Sequence, residues 1–383
     1  MTVSNVFSRL VLPFALLSGA GAQAFVVDPA NGPGTHFTSL QLATTTVPSG
    51  AVLVVRAGQY AGIVTIQGKS LTVLAEPGAR FVGSSALTIN GIGATDAVFV
   101  RGFEMQAPTL TFGGVGIDVD SCTGVVCLED MTVGAGSIGP VTLTANNCSS
   151  LWLRGCSFSA STRFTNCEAA LRDCLASATG QTVAVDSLVQ SGGRVQLLDC
   201  TVRGYGGLIG SPAVEMSGGD LRLLGSTSVA GGTSAFGPAG LAIAGSGSVR
   251  RDIGVTLSGG GTVVASTIVV TTTSMPHLTI DEVLPAGSVI VSLHGPIGHV
   301  GFLLVSLRGT AFALPFLADT VWLDPATMLI VTSGIPAPGA PVTTLTSMPA
   351  ISSTLGFAIA WQGLSLDAIV GFQISNPGYS ILR

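Results

Sequence analysis

A six-residue phrase recurs down the middle of this chain. It reads Val98-Phe99-Val100-Arg101-Gly102-Phe103, then Val126-Cys127-Leu128-Glu129-Asp130-Met131, then Leu151-Trp152-Leu153-Arg154-Gly155-Cys156. It returns as Ala169-Ala170-Leu171-Arg172-Asp173-Cys174, Val195-Gln196-Leu197-Leu198-Asp199-Cys200 and Leu221-Arg222-Leu223-Leu224-Gly225-Ser226. Measured at the third residue, the steps are 28, 25, 18, 26 and 26 residues, with weaker copies at Leu71-Thr72-Val73 and Val249. A repeat of this size restricts the chain to architectures in which each unit stacks on its neighbours.

Within each phrase, apolar first and third residues flank a variable one, the period of a half-buried strand. Next comes a position held only by Gly or Asp, residue types that share tolerance of left-handed backbone, so it reads as a turn. A second strand lies upstream, as Leu87-Thr88-Ile89-Asn90, Ile117-Asp118-Val119-Asp120, Val141-Thr142-Leu143-Thr144 and Val214-Glu215-Met216-Ser217. The first unit shows three strands, Val52 to Val55, Ile63 to Ile66 and Leu71 to Leu74, separated by glycines. Three short strands in about 26 residues describe one rung of a parallel β-helix. Helical repeats are excluded by the scarcity of Glu and Lys.

The entry to this region is Gly34-Thr35-His36-Phe37-Thr38-Ser39-Leu40, Pro48-Ser49-Gly50-Ala51-Val52-Leu53-Val54-Val55 and Ala57-Gly58-Gln59-Tyr60. It resembles the start of pectin-lyase-like right-handed β-helices, where a short capping helix precedes a Gly-rich turn, a first strand and a Pro/Ala-Gly-x-Tyr turn. The resemblance covers roughly Phe25 to Ala265 and implies a fold. It implies no single activity, because such helices serve lyases, hydrolases, epimerases and non-enzymatic surface proteins.

The expected organisation is a secretory signal over residues 1–24, an N-terminal cap over 25–50, the β-helix over 51–273 and a β-sandwich over 274–383. Arg9 precedes an apolar run from Leu10 to Leu17, and Ala22-Gln23-Ala24 supplies a small-x-small cleavage pattern. A secreted or cell-surface location follows from that signal. The sandwich rests on six candidate strands separated by Pro and Gly turns, Ser288 to Leu293, Gly301 to Leu307, Val321 to Leu323, Leu329 to Val331, Leu355 to Trp361 and Ile369 to Ile374. Leu323-Asp324-Pro325 and Ile374-Ser375-Asn376 resemble pieces of small C-terminal sandwich modules of secreted bacterial proteins.

Charged residues make up 9% of the chain, the formal net charge is −5, and Lys69 is the one lysine. Nucleic acid is therefore not an expected partner. Residues 253–275 carry no charge, but Gly259-Gly260-Gly261 and Thr271-Thr272-Thr273 fit terminal strands better than a membrane span. All seven cysteines lie between Cys122 and Cys200. They form two ladders, Cys122, Cys148 and Cys167 after one turn and Cys156, Cys174 and Cys200 after the other. Rungs are about 4.7–4.9 Å apart, while bridged Cβ atoms want about 3.8 Å. Buried, mostly unbridged thiols are expected.

No catalytic constellation, metal site or cofactor site emerges. Asp118 and Asp120 share one strand face, where Asp96 or Glu104 on a neighbouring rung could join them as oxygen ligands. A solvated face explains them more simply. Arg154 and Arg172 align on successive rungs and offer contacts to an acidic sugar. Trp152, bracketed by inward Leu151 and Leu153, is expected to point outward as a sugar-stacking platform. His294 and His299 have no nearby third metal ligand. The expected function is a structural or binding protein with an extracellular polysaccharide or cell-surface partner. The alternative is a polysaccharide lyase or glycoside hydrolase acting on an acidic glycan.

Overall fold

The computed structural model describes residues 23–106, 115–134, 141–178, 185–260, 263–283, 288–314, 317, 320–337, 339–347, 358–367 and 371–381. The expected signal segment lies, except for its last two residues, outside them. The described chain forms two compact units, Gln23–Ser274 and Met275–Arg383.

The first unit is a parallel β-solenoid, as the repeat predicts. Each turn contributes one strand to each of three parallel sheets. The first sheet includes Val115–Asp120, Val141–Asn146, Ser161–Thr165 and Leu188–Ser191. The second includes Val125–Glu129, Ser150–Arg154, Glu168–Arg172 and Arg194–Leu198. Short strands such as Thr132–Gly134, Ser157–Phe158 and Leu175–Ser177 make the third. The phrase anchors Val100, Leu128, Leu153, Leu171, Leu197 and Leu223 are in register from rung to rung. All belong to one buried core. The 18-residue step comes from a trimmed corner. Only Ser159 and Ala160 separate Ser157–Phe158 from Ser161–Thr165, and no strand is lost.

The Gly/Asp position is the left-handed turn that the residue types imply. Asp130, Asp173 and Asp199 have φ of 52°, 53° and 53°, and Gly155 and Gly225 have 60°. The order of Asp and Gly has a steric cause. A Cβ on Gly155 would stand 2.7 Å from Asp130 Oδ1, and one on Gly225 would stand 2.4 Å from Asp199 Oδ1. At these two steps the carboxylate of one turn occupies the space over the next, and glycine follows; Asp173, whose carboxylate lies beside Arg172, is followed by Asp199 instead.

The helix Leu40–Thr46 starts at Ser39, whose Oγ accepts from Leu42 N at 3.3 Å. It buries Leu40 and Ala43 in the solenoid core. Gln41 Oε1 accepts from Thr65 N at 2.7 Å, so the helix also satisfies backbone beside the first rung. Tyr60 of the Ala-Gly-x-Tyr turn is buried and donates to Arg56 O at 2.8 Å. The seven cysteines are all free and buried. Burial pushes the Cys127, Cys156 and Cys200 thiols well up, which makes them inert packing groups.

The second unit contains two antiparallel sheets. His277–Val283, Ser288–His294 and Val342–Ser347 form one. Val300–Ala313, Thr320–Leu323, Leu329–Gly334, Ala358–Asp367 and Gly371–Ile381 form the other. Leu278, Ile280, Val291 and Leu293 from the first share a core with Leu303, Val305, Ile359 and Trp361 from the second. Asn376 joins the sheets, accepting from Leu278 N at 2.8 Å and donating to Leu278 O at 3.1 Å. The strands His277–Val283 and Val342–Ser347 were not among the expected six. The second reads Val-Thr-Thr-Leu-Thr-Ser, with too few apolar residues to mark it. Among the described residues, no helix is long and apolar enough to cross a membrane.

Candidate ligand-binding face

The second sheet does not offer the aromatic platform that alternation implies. Trp152 points away from the core and stacks in register between Cys127 and Ala170. It is nevertheless 1% exposed. The expectation of a solvent-facing ring is thus corrected: an outward strand position here is an enclosed one. Its column neighbours Phe99, Gln196 and Arg222 are buried too.

Arg154 and Arg172 follow one another at the rung edge, as the alignment implies. Their charges are met by acids of the same corner. Arg154 Nη1 lies 3.3 Å from Glu129 Oε1, and Arg172 Nε lies 3.1 Å from Asp173 Oδ2. Arg101 Nε lies 2.9 Å from Asp130 Oδ2. This is a rail of paired charges along the solenoid, with Glu129 and Arg172 buried in it.

Asp118 and Asp120 lie elsewhere, on the outer face of the first sheet. Two columns of side chains run along that face. One passes in register through Asn90, Asp120, Asn146, Thr165 and Ser191, and continues to Ser217 through a hydroxyl–hydroxyl hydrogen bond. Every member has a hydroxyl, amide or carboxylate on a short stem. Ser121 Oγ donates to Asp120 Oδ2 at 2.8 Å, and Ser217 Oγ donates to Ser191 Oγ at 2.9 Å. The other column passes through Thr88, Asp118, Thr144, Arg163, Val189 and Glu215. Burial, and then the charge of Asp120, push the Asp118 carboxyl above its usual value.

Arg163, Glu215 and the nearby Asp186 were not singled out from the sequence. Asp186 lies just before Leu188–Ser191. Burial raises its carboxyl, and Arg163 partly offsets the rise. Burial and the charge of Asp186 raise Glu215. Raised carboxyls around an arginine hold protons more readily than free ones and can donate as well as accept hydrogen bonds. A signal for Glu215 existed. Stepping from Asp118 through Thr144, Arg163 and Val189 reaches it at near-constant intervals, once the trimmed corner is allowed. The sequence alignment placed Thr142 opposite Asp118, whereas Thr144 stands there. Val141 pairs with Val115 and Leu143 with Ile117, so the phrase read from Val141 starts two residues early against the one read from Ile117. Thr142 is fully buried, donating to Ser161 O at 3.0 Å.

Among the described residues, no three His, Cys, Asp or Glu side chains converge to hold a metal ion. His294 instead stacks on His277 with centroids 4.8 Å apart, and His299 lies 3.3 Å from Asp367.

No family model matches the chain, and no curated protein matches it. Solved structures with a similar arrangement include ORF18 of Geobacillus virus E2, at 10% identity and a TM-score of 0.29, covering 82% of this chain and 76% of that one. Another is full-length tailspike protein 2 of the Escherichia coli O157:H7 bacteriophage CAB120, at 10% identity and a TM-score of 0.27, covering 91% and 66%. These likenesses are too distant to bear on function.

Proposed function

We propose that this chain is a secreted β-solenoid of the pectin-lyase-like kind that binds an extracellular polysaccharide on the outer face of its first sheet, without cleaving it. The column from Asn90 to Ser217 carries this reading. It repeats short hydrogen-bonding side chains about every 4.7–4.9 Å over six rungs. Such a row can exchange hydrogen bonds with successive hydroxyls of an extended glycan. The preferred glycan is neutral. Asp118, Asp120, Asp186 and Glu215 outnumber Arg163 on and beside this face, so a polyanion meets net repulsion. Affinity electrophoresis against neutral and acidic polysaccharides tests the reading. Retardation by a neutral polymer that is lost in Asn146→Ala and Thr165→Ala supports it. Equal binding by both variants refutes it.

The raised carboxyls of Asp186 and Glu215 favour a second reading, a glycoside hydrolase in which one carboxyl acts as general acid. Reducing ends released by the wild type but not by Glu215→Gln would replace binding by hydrolysis. Export is tested separately. N-terminal sequencing of the protein recovered outside the cell should begin near Phe25.

A further inference from the structure

We infer that the C-terminal sandwich pairs with a second copy of itself through two neighbouring open edges, giving a two-fold dimer. Among the described residues, Leu329–Gly334 pairs only with Val300–Ala313, and Val342–Ser347 only with Ser288–His294. Each is therefore the edge of its own sheet, and the two edges lie side by side. A Cβ on Gly334 would stand 3.3 Å from Val342 Cγ2.

Natural edge strands are blunted by lysine, by inward charge, by proline or by β-bulges. Of these, the Leu329–Gly334 edge carries one irregularity, with Val331 as the extra residue between the Leu303–Thr332 and Leu304–Ile330 pairs, and charge and proline protection are missing from both edges. Here no Asp, Glu, Lys or Arg occurs from Pro325 to Leu366. Pro336 and Pro341 fall in the connection between the strands, not within them. In place of charge, the edges expose aliphatics: Leu329 at 49%, Ile330 at 64%, Ile335 at 65% and Leu345 at 54%. Unpaired backbone beside exposed aliphatic side chains is a template for another strand.

Charge decides the occupant. A face with no cation has no handle for an anionic lipid surface or an acidic peptide. A second copy meets it without like-charge repulsion and brings the same exposed aliphatics. An edge strand aligned antiparallel with its own copy is related to it by a two-fold axis. That symmetry closes at two chains.

Sedimentation velocity of the full chain across the micromolar range tests the proposal. The wild type should pass from monomer to dimer as concentration rises. Ile330→Lys and, separately, Leu345→Lys should each raise the dissociation constant by roughly a hundredfold, because each places two like charges across the axis. Val269→Lys, at a 69% exposed position on the last solenoid strand, should leave it unchanged. Both C-terminal positions are largely exposed, so the variants should stay folded by circular dichroism, and either one suffices if the other does not. A wild type that stays monomeric overturns the proposal. So does assembly beyond two chains, or a dimer lost in Val269→Lys but kept in the folded Ile330→Lys.

Discussion

Asp199 reaches across one rung to Ser226. Its Oδ1 accepts from both the backbone N–H and the hydroxyl of Ser226, each at 2.8 Å. The same oxygen fills the space in which a Cβ on Gly225 would lie. One carboxylate thus ties two turns together and dictates the residue type that follows it. Asp130 stands in the same steric relation to Gly155.

Gly225→Ala should therefore destabilise the solenoid by about 1–3 kcal/mol, since it adds both left-handed strain and a clash with Asp199. Asp199→Ala should cost about 1–2 kcal/mol through the lost hydrogen bonds. In the double variant the clash is relieved, so the two costs should sum to more than the measured total. Urea titrations of the three variants give these values. Strict additivity would show that the two turns do not interact.

Asp220 sits between two arginines, 3.1 Å from Arg194 Nε and 2.5 Å from Arg250 Nη2. Burial raises its carboxyl, but the hydrogen bond and charge of Arg250, with the charge of Arg194, outweigh burial and leave it lowered. Its contribution is then complete above the ordinary carboxylate range, about pH 4. It is lost as pH falls through the depressed folded value. Asp220→Asn should cost about 1–3 kcal/mol at neutral pH, because it removes the carboxylate that both guanidinium groups contact. The penalty should shrink in acid. A penalty independent of pH would assign the loss to packing instead.

Asp118 has the opposite sign. Its folded carboxyl is raised by burial and by Asp120, so ionising it costs stability. That cost grows as pH rises through the unfolded and folded values and is full above both. Asp118→Asn should stabilise the protein at pH 7 by up to about 1 kcal/mol, with no gain at pH 3. Thermal melts at the two pH values check this. Destabilisation at pH 7 would mean that the carboxylate makes favourable contacts that outweigh its burial.

The inner surface of the solenoid was legible because its signal repeats. Val100 to Leu223 keep one register, and even the short step resolved to a trimmed corner at Ser159 and Ala160. Two features were not legible. The phrase read from Val141 starts two residues early, since Val141 pairs with Val115 and Leu143 with Ile117, and this hid the column through Arg163 and Glu215. Trp152 leaves its strand on the outward side, as alternation implies. Alternation does not tell whether other chain lies over that side.

The cysteine ladders give a chemical prediction. All seven thiols are free and buried, so native protein should react slowly with a thiol reagent. Protein unfolded without reductant should show seven reactive groups. Cys174→Ser should cost about 1–3 kcal/mol, because a hydroxyl replaces a buried thiol. Finding one reactive group in the unfolded, unreduced protein would establish disulfides and reject the ladder of thiols.

Trp152 and Asn146 separate stability from binding. Trp152 is almost fully buried, while Asn146 is partly exposed on the polar column of the first sheet. Trp152→Ala should cost about 3–5 kcal/mol by leaving a cavity. The fraction that remains folded should bind a neutral polysaccharide with unchanged affinity. Asn146→Ala should change stability by no more than about 0.5 kcal/mol and yet weaken binding, because it removes one step of the hydrogen-bonding row. Calorimetric melts and affinity electrophoresis on the same preparations measure both. If folded Trp152→Ala lost binding while Asn146→Ala kept it, the ligand would contact the second sheet, and the polar face would be only a solvated surface.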